Sequence, residues 1–309
     1  MIPKTINLRA FRIANNNIAK SYSGIKNILS TKLNGSVAQD RRMLINRDDE
    51  EEDLVSDFNS NANCVYGVIL RISPTKNVPN IPDDYLKKEK ITITELNSVE
   101  LGTTNIYKHH YYFSLSDKFL VTNLQGNLPI TRLQTYINWF LEKERGTELF
   151  EFTPVITEPK ETKLSDLKNI VVRDSKIHKD VISQNEESFG KKLLTISNSL
   201  LSTFISDSET LKQIEENQII SAQLLIKFSK PKNMSKKDYE KALGAFLKPV
   251  SETDDISFTP KKGNKIRGTD LLKVKPVEIE LTDSGKISEN QLQQEMEKFL
   301  QELQNEDSN

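Results

Sequence analysis

The sequence predicts an α+β fold: two domains with mostly antiparallel strands and packed helices, plus a C-terminal helix. Three observations carry that expectation. Short runs rich in β-branched and aromatic residues, such as "CVYGVILRIS", stand between polar stretches. One pair of such runs is joined by only a few residues, which suits a hairpin. Other segments place apolar residues every three or four positions, the period of a helix with one buried face. The 309 residues accommodate two compact domains, each of roughly 100–200 residues.

In chain order, "KTINLRAFRI" (4–13) alternates and opens the chain as a strand. The spacing Ile18, Tyr22, Ile25, Leu29, Leu33 is helical, with Lys20, Lys26 and Lys32 largely off the apolar stripe. "DDEEEDLVSDF" reads as a charged connection or the capped start of a short helix. "CVYGVILRIS" and "ITITEL" read as strands on either side of the Pro-rich loop "PTKNVPNIPDD". "NIYKHHYYFSLSDKFLVTNLQGN" is a hairpin turning at Ser116-Asp117, with Tyr107, His109, Tyr111, Phe113 and Leu115 on one face. The amphipathic helix "PITRLQTYINWFLEK" and the strand "ELFEFTPVI" complete a first domain over 1–155.

Residues 156–190 begin as the polar "TEPKETKLSDLKN" and make a linker-like connection that carries one short strand, "IVVRD". A second α+β domain with a basic surface follows over 191–285. It holds a helix near "GKKLLTISNSLLSTF", the strand "IISAQLLIKFS" and the helix "SKKDYEKALGAFL", where Ser235 and Asp238 stand in a capping-box relation. Residues 286–309 form an acidic helix, with Ser288 and Gln291 in the same capping roles. Its Leu292, Met296, Phe299 and Leu303 make an apolar seam spaced four, three and four. A lone helix of this length is marginal in water, so the seam docks on the body or pairs two chains. Its acidic face could also cover a basic groove.

A net charge of −1 hides a strong asymmetry. Residues 1–47 hold nine cations and one acid, and the ten residues after them hold seven acids and no base. Residues 227–275 hold thirteen cations against six acids, and residues 278–307 hold nine acids against two bases. Two basic blocks, each followed by an acidic one, point to polyanion partners or to mutual neutralisation.

The single cysteine, Cys64, excludes a disulfide framework and a multi-Cys zinc site, and its apolar surroundings read as a buried thiol. No apolar stretch approaches the ~20 residues of a membrane span, and the N-terminus has no h-region, so a cytoplasmic protein is expected. His109 and His110 are adjacent and would face opposite sides of a strand, and His178 is remote, so no metal site is expected. "GNKIRGTD" spaces Gly263 and Gly268 somewhat like a phosphate loop, but Thr269-Asp270 replaces the Lys-Ser/Thr that nucleotide hydrolysis needs. Glu158, Glu161 and Asp166, each two residues before a lysine, and Pro82-Asp83 match fragments of a nuclease pattern, but three of these acids lie in the polar connection. No cofactor and no small-molecule substrate are expected.

The second basic block is the candidate site. Lys227, Lys230 and Lys232 leave a strand; Lys236, Lys237 and Lys241 lie on the following helix, whose Tyr239, Ala242, Leu243, Phe246 and Leu247 form its apolar face. Lys261, Lys262, Lys265 and Arg267 then crowd seven positions. Together these ten could make one positive surface for phosphate oxygens, with glycines letting backbone N–H groups approach. The basic block 1–47 would supply a second surface.

The succession "LFEFTPVI", "AQLLIKFSKPKNMSKKDYEKAL" and "DDISFTPKKGNKIRGTDLL" resembles the corresponding stretch of the RexA-type phage-exclusion proteins, over about residues 150–280. The resemblance implies a dimeric, sequence-tolerant DNA-binding protein that senses phage DNA or its protein complexes and triggers a separate effector, often in the membrane. What it carries onto this chain is the basic stretch alone. The leading expectation is therefore a non-enzymatic nucleic-acid-binding homodimer of phage defence. Two alternatives are a protein-interaction module built on complementary charge blocks and a metal-dependent nuclease.

Overall fold

The computed structural model describes residues 3–15, 24–46, 51–72, 81, 83–98, 107–124, 130–147, 149–158, 164–173, 223–227, 233–247, 256–260, 264–282 and 286–308. Within them the chain forms β1 (Lys4–Asn15), α1 (Ile25–Asn34), β2 (Met43–Asn46), β3 (Glu51–Ser60), β4 (Val65–Ile72), α2 (Asp83–Leu86), α3 (Ile93–Ser98), β5 (Tyr107–Leu115) and β6 (Phe119–Thr122). Then come α4 (Ile130–Phe140), α5 (Glu142–Arg145), β7 (Phe150–Pro154), β8 (Leu167–Arg173), β9 (Gln223–Lys227), α6 (Lys236–Leu247), β10 (Ile256–Pro260), β11 (Ile266–Arg267), β12 (Val274–Ile279) and α7 (Glu289–Ser308). The fold is α+β.

Two units divide the chain: Met1–Val155 with Lys273–Asn309, and Ile156–Leu272. The first is built on an eight-stranded antiparallel sheet in the order β12-β1-β6-β5-β4-β3-β2, with β7 also paired to β1. One face carries Phe11, Val55, Ile69, Tyr111 and Phe113 under Ile25, Leu29 and Leu33 of α1 and Leu133, Tyr136 and Ile137 of α4. The other carries Leu8, Leu54, Val68, Leu70 and Tyr112 under Leu96 of α3 and the buried stripe of α7. Central strands covered on both faces lose the polar alternation of a half-exposed strand, which is why "VYGVIL" is continuously apolar. Gly67 has no room for a side chain, since a Cβ there would lie 2.5 Å from the Phe113 ring.

The hairpin turns where expected: the Ser116 N–H donates to Phe119 O at 2.8 Å, and the Ser116 hydroxyl accepts from the Phe119 N–H at 3.1 Å. Two other segments differ from expectation. "EEDLVSDFNS" is the strand β3, not a loop or helix start, because Leu54, Val55 and Phe58 enter the two cores and Asp53 is neutralised inside. "ITITEL" is not a strand; Ile93–Ser98 is a helix. It begins with a capping box, in which Glu95 N–H donates to Thr92 Oγ1 at 3.1 Å and Thr92 N–H donates to the Glu95 carboxylate at 3.0 Å. Of the expected first helix, Ile18 and Tyr22 lie outside the described residues.

The expected second domain ran to residue 285, but β12 belongs to the first unit's sheet. It pairs with β1 from Lys4↔Ile279 to Arg9↔Val274, which lets Val277 and Ile279 enter the core. The C-terminal helix docks on the same unit. Leu292, Met296, Phe299, Leu300 and Leu303 are all buried against it. Gln291 does not close a capping box; its side chain accepts from Glu280 N–H at 2.7 Å and donates to Glu278 O at 3.3 Å, tying α7 to the strand before it.

The second unit holds a four-stranded antiparallel sheet, β11-β10-β8-β9. The expected strand "IVVRD" is the interior strand β8, which starts at Leu167 within the supposed linker. Helix α6 contributes Tyr239 and Leu243 to a core with Leu164, Leu167, Phe258 and Leu271. Ser235 caps it, accepting from Asp238 N–H at 3.1 Å and donating to the Asp238 carboxylate at 2.7 Å. Ala242, expected on the apolar face, is exposed. The expected helix near "GKKLLTISNSLLSTF" lies outside the described residues.

Candidate nucleic-acid interface

The alternation of β10 separates the two sides of the second sheet. Phe258 pairs with Ile170 on one side and Ile266 on the other, and this face packs against Tyr239 and Leu243 of α6. The intervening row runs Arg267, Ser257, Val171, Leu225, and the next runs Thr259, Asn169, Lys227. Antiparallel partners share a face. Arg267, Ser257, Thr259 and Asn169 therefore lie on the side of the sheet away from α6, where Ser257 is buried.

Arg267 is exposed on the edge strand β11, and Lys265 is exposed immediately before it. Among the described residues no ion pair engages either side chain. The turn that follows is held by Asp270, whose carboxylate accepts from the Arg267 backbone N–H at 3.2 Å. Gly268 is buried in that turn, so the expectation that it lets a phosphate approach the backbone is corrected.

Of the ten expected site residues, those that the structure describes are spread over two edges of the sheet and the helix on one side of it. Lys227 on β9 and Arg267 on β11 occupy opposite edges of the sheet, three strand spacings or about 14 Å apart. Lys236, Lys237 and Lys241 belong to α6, on the other side of the sheet. Lys236 is exposed but lies 3.2 Å from a Glu158 carboxylate oxygen and 3.7 Å from one of Glu240. The hydrogen bond to Glu158 raises its pKa above the ordinary lysine value. The side chains of Lys227, Lys237 and Lys241 are not described, and Lys230, Lys232, Lys261 and Lys262 lie outside the described residues.

Glu158, one of the acids matching the nuclease pattern, is occupied structurally. One oxygen accepts from Leu164 N–H at 3.1 Å and the other from Lys236. Among the described residues no group of three or more His, Cys, Asp or Glu could hold a metal ion. His110 is half-buried with its ring edge-on to Tyr112.

In the first basic block, expected as a second phosphate surface, several cations have partners within the unit, while Lys20 and Arg47 lie outside the described residues. Arg12 donates to Asp307 at 2.9 Å, Lys32 to Glu144 at 2.7 Å and Arg42 to Glu52 at 2.6 Å. Lys26 donates to Ala62 O, and Arg41 is wholly buried, donating to the carbonyls of Leu33, Ser36 and Glu89. The acids of α7 are likewise engaged within the first unit: Glu302 with Lys275 at 2.5 Å, Glu306 with Lys273 at 2.8 Å, and Glu297 with Asn61 and Asn63. Sequence alone could not find this, because the partner of Arg12 is 295 residues away.

No helix among the described residues is long and apolar enough to cross a membrane. No protein-family model, curated protein or solved structure matches this chain.

Proposed function

We propose that the chain is a non-enzymatic, sequence-tolerant nucleic-acid-binding protein whose contact surface lies on the second unit alone. The observation that carries this reading is that Lys265 and Arg267 are exposed with no ion pair among the described residues, whereas Arg12, Lys273 and Lys275 of the first unit are held by its own carboxylates. A guanidinium forks onto phosphate oxygens and an ammonium adds a mobile point charge. Thr259 and Asn169 on the same face supply polar groups for sugar and phosphate. A surface of this kind holds backbone and carries little base readout.

Fluorescence anisotropy of labelled duplex DNA and single-stranded RNA across a salt series tests it. Lys265→Ala with Arg267→Ala weakens binding to unrelated sequences alike, and the slope of log K against log salt shrinks by about 0.9 per lost duplex contact. Both side chains are exposed, so folding persists. An unchanged slope refutes the assignment. Magnesium-stimulated nicking that is lost in Asp83→Ala or Asp166→Ala would replace it with the nuclease reading.

The wider role, a homodimeric sensor of phage exclusion acting through a separate membrane effector, is supported by the resemblance over residues 150–280. Its test is phage plating on cells that carry the chain with and without its genetic neighbours, and light scattering for the dimer.

A further inference from the structure

A buried polar group in the first unit holds more hydrogen-bond donors than its own carboxylate engages. The register pairs Asp53 with Arg71 and Ile69 with both Val55 and Tyr111, so Asp53, Arg71 and Tyr111 lie on the sheet face that α4 covers. Arg132, in the first turn of α4, forks onto the fully buried Asp53 at 2.5 and 3.0 Å. Each carboxylate oxygen thereby accepts from Arg132. Arg71 Nε stands 3.6 Å from Asp53 Oδ1, beyond hydrogen-bonding reach.

The leftover groups are all donors. Arg71 Nε and Nη2 are buried with no acceptor, and so is the hydroxyl of Tyr111, a residue only 1% exposed. Native proteins rarely leave such donors unmatched. The neighbouring Tyr136 shows the ordinary solution: its hydroxyl donates to Arg41 O at 2.8 Å and accepts from Val55 N–H at 3.0 Å. Burial holds Tyr111 protonated well past its ordinary range, so it remains a neutral donor. Burial and then the adjacent Arg132 destabilise the Arg71 cation, while Asp53 and, after it, Glu51 offset this.

We propose that Arg71 and Tyr111, braced by the Asp53–Arg132 pair, form a binding site for a small oxyanion, a carboxylate or a phosphate group. An anion there would accept from Arg71 Nε and Nη2 and from the Tyr111 hydroxyl. The site is distinct from Lys265 and Arg267, which belong to the other unit.

The test is the thermal midpoint of the full chain in acetate and in inorganic phosphate, each against chloride at matched ionic strength, with titration calorimetry for affinity. A saturable rise in one or both oxyanions is expected, and the responding salt identifies the carboxylate or the phosphate chemistry. Tyr111→Phe weakens the affinity about tenfold, as for loss of one hydrogen bond to a charged group. It leaves the stability without oxyanion undiminished, because the hydroxyl has no partner there. The response persists in Lys265→Ala with Arg267→Ala, which separates it from nucleic-acid contacts. Equal midpoints in chloride and both oxyanions, or an unaltered affinity in Tyr111→Phe, would overturn the proposal.

Discussion

Replacing Phe299 by alanine tests whether the end of the chain is part of the first unit's core. The ring is 1% exposed and shares its cluster with Leu292, Met296 and Leu303 of the same helix and with Leu8, Val121 and Val277 of the sheet. The Lys275 ammonium lies 5.6 Å from the ring centroid and closes its solvent side. Truncation removes the buried ring and leaves a cavity that flanking strands cannot fill, a loss of about 3–5 kcal/mol. That is a large share of the 5–15 kcal/mol typical of a folded domain. The chain has one tryptophan, Trp139 on α4 of the first unit, so its fluorescence in a urea titration reports that unit alone. Glu302→Gln is the control. It removes an ion pair whose side chains are 27% and 52% exposed, worth under about 1 kcal/mol. A Phe299→Ala loss as small as the control's would refute the docked helix. So would a fall in molar mass on light scattering, which would mean that the seam pairs chains instead.

Asp53→Asn leaves Arg132 buried without its counter-ion and costs about 3–5 kcal/mol in the same titration; a loss below about 1 kcal/mol would mean that the pair is solvated. Burial holds the Glu289 carboxyl above its ordinary 4.5, against the hydrogen bond it accepts from the Tyr112 hydroxyl. A raised folded pKa favours folding while the group is protonated, and that contribution is lost as pH rises through the folded value. Glu289→Gln therefore raises the thermal midpoint at pH 7, and the gain disappears below the ordinary value of 4.5; a gain independent of pH would contradict this. Cys64 is 1% exposed and burial pushes its thiol pKa up. A thiol reagent should label it only as fast as the protein opens, and immediate labelling in native buffer would refute the burial.

What the sequence made legible was wherever local pattern and tertiary role agree. β1, β4, the β5–β6 hairpin, α4, β7 and α7 follow from alternation, helical period or a turn, and each buries the face that pattern names. β3 was hidden by its acids. Six consecutive acids, residues 48–53, run into Leu54, and nothing local says that Asp53 meets an arginine 79 residues away. α3 carried its own signal, since Thr92 and Glu95 stand at capping-box spacing. The alternation of "ITIT" points instead to a strand. At the candidate site, Lys265 and Arg267 were legible as exposed cations, but the sheet order that puts Lys227 on the far edge and α6 on the other side was not. Edge positions depend on which strands pair, and pairing is a long-range choice.

The charge blocks take their meaning from the same long-range choices. Residues 273–309 return to the first unit, so the acids of α7 and the cations of β1 and β12 become neighbours. Asp307 is the strongest case: its carboxylate is 6% exposed and bridges Arg12 at 2.9 Å and Lys118 at 3.5 Å. Most of the other pairs are half-exposed, worth little singly, but they consume the charge that the sequence offered to a polyanion. Complementary blocks thus serve assembly of the first unit from the two ends of the chain. The second unit is inserted between Val155 and Lys273, which are joined within the first unit by a 2.8 Å backbone hydrogen bond. Its Lys265 and Arg267 have no such acidic counterpart among the described residues. Near-neutrality of the whole chain is therefore compatible with a basic surface on one unit, because the neutralising acids are already bound elsewhere.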